Sequence, residues 1–364
     1  MNAGRTAEQE QFAASLHDML AAADVPGAAR QWAAGDRSGG LAVWRKLAGA
    51  GVTALAVPQR WGGLGASPLD IVVACEELGH HALPGPVAES VAVVPWLIAA
   101  LGDEALAGRW LPGLAAGDLI ATLALPPWRP YAADADAADL VLLAEGDAVW
   151  LAGPGARHGS VDPARSLFEA EGRQLLARGP AVAGAIAQAR DVGVLACAAQ
   201  LLGAGRALLA AGVRHAGQRV QFGRPVGAFQ AVKHHLADVA IALEFAGPLL
   251  DEAAAALAAG DVSAFPAPAL CPPRPRASRP PPLGAHPHTA ARDVSAAKVA
   301  CTGAARLAAR SALQVHGAIG YTEEHDLHLW LLKVRSLAGA WGSQAEHRAR
   351  VMAALTAPGS PPWT

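Results

Sequence analysis

The feature that most constrains the fold is a set of four long stretches in the C-terminal half whose apolar residues recur with helical periodicity. They cover residues 181–218, 228–259, 290–316 and 325 to about 355. At a rise of 1.5 Å per residue, a helix of thirty residues is about 45 Å long. Helices of this length pack side by side rather than crossing. The sequence therefore predicts an antiparallel four-helix bundle over residues 179–358.

The N-terminal part, residues 1–118, also has apolar residues at helical spacing, interrupted by Gly/Pro turns. Asp103 lies where one helix is expected to start, and Gly117 lies where it is expected to stop. Between residues 119 and 178 the pattern changes to short strand-like pieces, such as 140–143 and 148–151. The predicted fold class is mainly α, with an N-terminal helical domain, a reduced β-domain and the bundle.

A proline-rich segment interrupts the predicted bundle at residues 262–289. Nine prolines and three arginines fall within it. Proline at this density forbids a helix, because it lacks the backbone N–H and clashes with the preceding turn. We expect an exposed loop between two bundle helices, inserted into an ordinary connection.

The composition excludes several classes of protein. The chain is 52% hydrophobic and has a net charge of −2, so it can bury a large core and has no basic surface to attract nucleic acid. Its longest apolar run, 91–101, is too short to span a bilayer and contains Pro95. Four scattered cysteines without a CxxC pair indicate free thiols. These features predict a cytoplasmic protein without a membrane span.

Two Gly-rich corners between predicted bundle helices carry the most informative residues. The first, residues 219–230, reads RVQFGRPVGAFQ and begins with an arginine at the end of a helix. The second, residues 314–321, reads QVHGAIGY and brings glycine backbone where a phosphate could approach closely. Arginine and amide side chains at such corners bind a pyrophosphate and the edge of a planar ring. A plain helical hairpin with a solvated arginine is the alternative.

Taken together, RVQFGRPVGAFQAVKHHLAD and QVHGAIGYTEEHDLH resemble the paired signature segments of the acyl-CoA dehydrogenase family. The segments GVTALAVPQRWGGLG and EELG, at 51–65 and 76–79, are similar to that family's helical N-domain. The resemblance implies the same three-part fold, with FAD bound across a subunit boundary. It also implies an acyl-CoA substrate, an electron-transfer acceptor and an oligomer such as a dimer of dimers.

The resemblance assigns cofactor-binding residues by position, and in it the two corners meet a shared nucleotide from opposite protomers. The residues that match the family's FAD site are Arg219, Gln221, Phe222, Phe229, Gln230, Gln314, His316, Gly317, Ala318 and Ser343. The first three match residues that reach the diphosphate and adenosine of FAD from the partner subunit. Ala318 replaces the second glycine of the family's Gln-x-x-Gly-Gly corner.

The residues expected to carry out catalysis are missing. The family's reaction removes a proton alpha to a thioester carbonyl while the beta hydrogen leaves as hydride, so it needs a carboxylate base. One family position for that base holds Trp341 here, and the other, on the first bundle helix, holds Gly193. The flavin-facing Thr-Glu and Gly-rich turn expected after Leu123 is replaced by ALPPWRPY at 124–131. The catalytic residue is therefore unknown.

No metal site is expected from the sequence. A di-iron bundle needs two Glu-x-x-His pairs on facing helices, and the only such pair is Glu77 with His80. The histidine pairs at 234–235 and at 325 and 328 could face one another, but we interpret them as solvated or hydrogen-bonded core residues.

These observations favour a non-catalytic or weakly catalytic subunit of a heteromeric acyl-CoA dehydrogenase, which helps to hold FAD for a catalytic paralogue. By resemblance, such two-part members act on bulky thioesters from lipid or steroid degradation. Two alternatives stay open. One is an autonomous dehydrogenase that uses Asp191 or Glu346 as its base, and the other is a scaffold of the same fold that binds no flavin.

Overall fold

The computed structural model describes residues 5–259 and 287–356. In this part of the chain six α-helices come first, a five-stranded sheet follows, and a helical bundle completes the fold. The predicted fold class is confirmed. Most of the proline-rich segment at 262–289, including Cys271, lies outside the described residues.

The N-terminal helices are α1 (Ala7–Ala21), α2 (Val25–Ala33), α3 (Ser38–Gly49), α4 (Pro68–His80), α5 (Val94–Ala100) and α6 (Glu104–Ala116). The C-terminal helices are α7 (Pro180–Gln218), α8 (Gln230–Ala259), α9 (Pro287–His316), α10 (Leu327–Leu337) and α11 (Gln344–Thr356). The strands are β1 (Ala121–Ala124), β2 (Ala132–Ala133), β3 (Leu140–Glu145), β4 (Ala148–His158), β5 (Leu167–Arg178), β6 (Val220–Gln221) and β7 (Arg224–Pro225).

Local sequence signals set several of these helix ends. Ser67 caps α4 through a capping box in which its side chain and that of Asp70 accept each other's backbone N–H. The carboxylate of Asp103 accepts the N–H groups of the first turn of α6, as predicted. Gly117 ends α6 with φ of +76°, a conformation that favours glycine.

The sheet has the strand order β1-β3-β4-β5-β2. Strands β1 and β3 are parallel, whereas β3, β4 and β5 form an antiparallel meander. The two predicted strand pieces correspond to β3 and β4. The meander leads directly into α7, because β5 ends at Arg178 and α7 begins at Pro180.

Helix α7 is the central helix of the molecule and packs against α4, α8 and α9. It crosses α4 so closely that a Cβ on Gly203 would lie 1.8 Å from the carbonyl oxygen of Glu76. Among the described helices, α7 alone is long and apolar enough to cross a membrane, and 89% of its most apolar window is buried inside the protein. The length of α7 therefore reflects its place in the core.

The predicted fourth bundle helix, from 325 to about 355, is two helices. The chain leaves α10 after Leu337 and starts α11 at Gln344. Trp341 has φ of +59° and Gly342 has φ of +96°, and neither value fits a right-handed helix. The apolar periodicity continues through this break, so the periodicity alone did not reveal it.

Cys75, Cys197 and Cys301 are free and buried, as the sequence predicted for its scattered cysteines. Burial raises the pKa of the Cys75 and Cys301 thiols to about 12. Both are therefore protonated at neutral pH, and they act as small core residues rather than as nucleophiles.

Candidate functional site

The first corner is a tight two-residue hairpin that projects from the end of α7. Strands β6 and β7 pair through Val220 with Pro225 and Gln221 with Arg224. The turn residues Phe222 and Gly223 have φ of +52° and +78°, as both central residues of a type I′ turn require. The N–H of Val226 donates to the carbonyl of Arg219 at 2.7 Å and closes the corner.

Aromatic and cationic groups are concentrated on this hairpin. Phe222 is 91% exposed, and its ring is perpendicular to the ring of Phe229 at a centroid distance of 6.1 Å. The guanidinium of Arg224 lies 4.1 Å from the centre of the Phe229 ring. Arg219 and Gln221 are also exposed. An exposed Phe in the left-handed region is unusual and marks candidate binding residues.

The second corner follows α9. Gln314, Gly317 and Ala318 are exposed, and Gly317 has φ of +63° with open space where a Cβ would be. His316 is buried instead, and its Nδ1 lies 2.7 Å from the carbonyl oxygen of Ala312. His316 therefore supports the corner from below, while its neighbours form the surface that a ligand could reach.

Both corners lie at the same end of one chain's bundle. The His215 ring, on the last turn of α7, stacks on the His316 ring at a centroid distance of 4.2 Å. This contact places the C-terminal ends of α7 and α9 side by side. One protomer therefore presents both corners at the same end of its bundle. Gln230, at the start of α8, is exposed beside them.

The groups present at the two corners fit the nucleotide end of FAD. Two guanidiniums, Arg219 and Arg224, match a pyrophosphate, and the exposed Phe222 ring offers a flat face to an adenine. Open backbone at Gly317 leaves room for close approach. The histidines at 234–235 are exposed on α8, and His325 packs edge-on against His316 at 5.0 Å.

The three departures from the family pattern are Trp341, Gly193 and the segment 124–131. They are far apart in the sequence but lie together in the structure. A Cβ on Gly193 would lie 2.5 Å from the ring of Trp341, so the two expected base positions are in direct contact. Ring atoms of Trp128 lie about 3 Å from where a Cβ on Gly342 would be. The indole of Trp341 thus fills the volume that a carboxylate from either position would enter.

Trp341 is fixed by a buried charge pair. Its Nε1–H donates to Oε1 of Glu89 at 3.2 Å, and the side chain is 1% exposed. The same Glu89 oxygen lies 2.9 Å from Nη1 of Arg129, whose guanidinium lies 5.1 Å from the centre of the Trp341 ring. Burial lowers the pKa of Arg129 to about 10, and Glu89 opposes that shift, so the arginine stays charged at neutral pH.

Glu89 is the residue of this site that the sequence analysis missed. It sits in the apolar run around Val87 and Val94, which reads as plain core. The available signal was a single carboxylate within that run, because buried acids in proteins are nearly always paired. Its partners are Arg129 and Trp341, the latter 252 positions away.

A cavity of about 330 Å³ lies next to the buried indole. Trp128, Tyr131, Arg165, Arg335 and Trp341 are on its walls, and no carboxylate is among the described residues that line it. Ligand pockets usually span about 300–1,000 Å³, so this volume is at the lower limit. The cavity has the size of a small ligand site, and its polar side chains are cationic or neutral.

The two alternative bases are both engaged elsewhere. Asp191 is paired with Arg350 at 2.7 Å and with Arg190 at 3.1 Å. Glu346 accepts the N–H of Ser343 at 2.7 Å, which lowers the pKa of Glu346 and makes it a weaker base. The Ser343 hydroxyl accepts the N–H of Glu346, so the structure uses Ser343, expected at the cofactor, to cap α11.

Two protein-family profiles match the sequence. The sequence matches the profile of the acyl-CoA dehydrogenase N-terminal domain over residues 6–118. It matches that of the acyl-CoA dehydrogenase C-terminal domain over residues 184–271 and 282–356. The chain is 29% identical to acyl-CoA dehydrogenase IpdE2 of Mycobacterium tuberculosis over 336 residues, covering 91% of this chain and 92% of that protein.

Another relative, acyl-CoA dehydrogenase FadE34 of the same organism, is 29% identical over 343 residues, which are 90% of this chain and 44% of that protein. Among solved structures, the ChsE4-ChsE5 complex from Mycobacterium tuberculosis superposes with a TM-score of 0.80 at 22% identity, covering 99% of this chain and 100% of that one. This likeness concerns the fold. Both domain profiles together span most of the chain, and the protein is therefore a member of the acyl-CoA dehydrogenase family.

Proposed function

We propose that this chain is the non-catalytic subunit of a heteromeric acyl-CoA dehydrogenase. In this role its two corners hold the nucleotide end of FAD. A paralogous subunit supplies the catalytic base and the side chains that cover the flavin ring. FAD, when bound, accepts the hydride, and the residues of this chain bind and orient its adenosine and diphosphate.

The observation that carries the proposal is the buried indole of Trp341. An acyl-CoA dehydrogenase must take a proton from the carbon alpha to the thioester, and only a group within hydrogen-bond reach can do so. Here the ring of Trp341 occupies that place, and its N–H is a donor rather than a base. Gly193 has no Cβ, and its absence leaves space for the ring of Trp341.

The autonomous alternative requires a carboxylate that is free to act. Asp191 is held by two arginines, and Glu346 is held by the first turn of α11. Glu89 is 5% exposed and is paired with Arg129. Each of these carboxylates would have to leave a charged partner or a helix cap to accept a proton, so the helper role is favoured.

Similar proteins suggest the type of partner and substrate. One solved structure with the same fold is a complex of two differently named chains, ChsE4 and ChsE5. Another, with a TM-score of 0.77, is described as the Tcur3481-Tcur3483 steroid acyl-CoA dehydrogenase variant. We infer by analogy that this chain pairs with an unlike subunit and serves a bulky acyl-CoA thioester such as a steroid side chain.

Flavin content tests the proposal. The chain is purified alone and after co-expression with paralogous acyl-CoA dehydrogenase chains, and FAD per chain is measured by absorbance. We expect stoichiometric FAD and dehydrogenation only in the complex, with Arg219→Ala reducing the FAD content at least tenfold. The exposed Arg60 gives a matched control, because Arg60→Ala removes one surface guanidinium that belongs to neither corner and pairs with Glu104.

Two results would reject the helper role. Dehydrogenation by the lone chain, with stoichiometric flavin, would establish the autonomous enzyme. A complex that forms and turns over with its full FAD content when Arg219→Ala is present would leave only the scaffold role for this chain.

A further inference from the structure

Three histidines form a cluster outside the site described above. His17 is on α1, His80 is the last residue of α4 and His81 follows it directly. The ring centroids are 5.0 Å apart for His17 and His80, 4.9 Å for His17 and His81, and 5.2 Å for His80 and His81. The cluster therefore joins the N-terminal helix to the end of α4.

The nitrogen atoms of these rings are close enough to share one ion. One ligand atom from each histidine lies within 4.8 Å of the other two. His81 Nε2 and His17 Nδ1 are 3.4 Å apart. Two nitrogens on a tetrahedral zinc ion, each at about 2.0–2.1 Å from the metal, are also about 3.4 Å apart. This pair of rings already has the spacing of zinc ligands.

A carboxylate lies next to His17, outside the group of three ligand atoms that share the 4.8 Å spacing. Oε2 of Glu77 lies 2.9 Å from the same Nδ1 of His17. In the metal-free protein a hydrogen is shared between them. An ion would take the place of that hydrogen, and the His17 ring would then carry its hydrogen on Nε2. Within residues 5–259 and 287–356, the imidazole of His80 makes no hydrogen bond, so its lone pair is available.

The rings face a cavity of about 320 Å³, through which an ion can enter. Arg214 and Asp326 also line this cavity, and Asp326 is paired with Arg30. Glu77 is the carboxylate that lies against the histidine cluster.

We propose that His17, His80 and His81 form a Zn²⁺ site that ties α1 to the end of α4, with Glu77 as the fourth ligand after a change of its side-chain rotamer. Three imidazoles and one carboxylate in a tetrahedral arrangement are a ligand set that zinc accepts. The site stands on these four side chains alone and does not depend on the proposed function. It revises the expectation, drawn from the sequence, that the chain holds no metal.

The experiment titrates the untagged, chelator-treated full-length chain with Zn²⁺ by calorimetry and with Co²⁺ by visible absorption. We expect one ion per chain, an intense tetrahedral Co²⁺ band and a higher melting temperature with zinc, because a ligand that binds only the folded state stabilises it. Each of His17→Gln, His80→Gln and His81→Gln should weaken Zn²⁺ binding at least tenfold. The exposed His235 provides the control, and His235→Gln should leave binding unchanged.

The glutamine variants keep the size and polarity of the side chain, and their melting temperatures without metal check that they fold. If the wild-type chain binds no Zn²⁺, or if the triple variant binds it as tightly as the wild type does, the proposal is wrong. A Glu77→Gln variant that binds Zn²⁺ as tightly as the wild type would remove Glu77 from the ligand set and contradict the four-ligand site.

Discussion

At the scale of single residues, the exchange of the expected carboxylate for Trp341 is accommodated by the residues around it. Trp341 stands where a carboxylate is expected, Gly193 leaves space for its ring, and Glu89 accepts its N–H. The three residues depend on one another, since the ring, the gap and the acceptor are parts of one packed unit. Their energies should therefore be coupled rather than additive.

A double-mutant cycle tests this coupling. Gly193→Ala should cost about 1–3 kcal/mol in the wild type, because the new methyl overlaps the Trp341 ring. In a Trp341→Ala background, itself destabilised by about 3–5 kcal/mol, the same change should cost nothing or stabilise the helix slightly. Urea unfolding of the four proteins gives the coupling energy. An equal cost in both backgrounds would show that the two residues are independent.

The buried His347 predicts a pH dependence of stability. Burial lowers its pKa from the ordinary 6.5 to about 4, partly opposed by the bond from its Nε2 to the carbonyl of Trp341. Between those two values the unfolded chain binds a proton that the folded chain does not, so stability falls as the pH falls. One such group contributes at most about 1.4 kcal/mol per pH unit.

The measurement is the urea midpoint from pH 7 to pH 4.5 for the wild type and for His347→Gln. We expect the variant to have a shallower decline, with the remainder caused by His80 and His81, whose pKa values are also lowered to about 4. Parallel curves for the two proteins would contradict a neutral, buried His347.

Sequence reasoning identified the residues of the corners but not their surroundings. The segments around Arg219 and Gln314 are continuous in sequence, so their pattern is visible without a structure. The contacts of Trp341 with Glu89, and of His17 with His81, join residues 252 and 64 positions apart. Periodicity carries no information on pairings of that kind, because they depend on how helices pack.

At the scale of elements, the crossing of α4 and α7 holds the two halves of the chain together. The helices approach so closely at Gly203 that only hydrogen fits between its Cα and the backbone of α4. Sequence periodicity predicted α7 over residues 181–218, within one residue of its observed ends. It could not predict the break between α10 and α11, since that break depends on the left-handed conformations of Trp341 and Gly342.

Two glycine substitutions in the same helix test the crossing. Gly203→Ala should cost about 3 kcal/mol, because its methyl would meet a backbone carbonyl that cannot move aside. Gly184→Ala, at an open position of α7, should instead stabilise by about 0.5–1 kcal/mol through helix propensity. Thermal or urea unfolding compares the two. A tolerated Gly203→Ala would mean that α4 and α7 are farther apart than described.

At the scale of the whole molecule, the chain keeps the family fold and both Gly-rich corners, while packed side chains fill the place where a catalytic carboxylate is expected. The fold was predictable because a long bundle and two signature segments leave few alternatives. The packing of Trp341 against Gly193 and Trp128 was not predictable, because these residues belong to three segments that are far apart in the sequence. The proposed role as a subunit that supports a catalytic partner accounts for both features.

The most direct test of this account is anaerobic bleaching of FAD by acyl-CoA. The lone chain is incubated with FAD, freed of excess cofactor and mixed with butyryl-CoA, octanoyl-CoA or a steroid side-chain CoA thioester, while the visible flavin absorbance is followed. The account predicts no bleaching by the lone chain and full bleaching once a catalytic paralogue is present. Stoichiometric bleaching by the lone chain would contradict it.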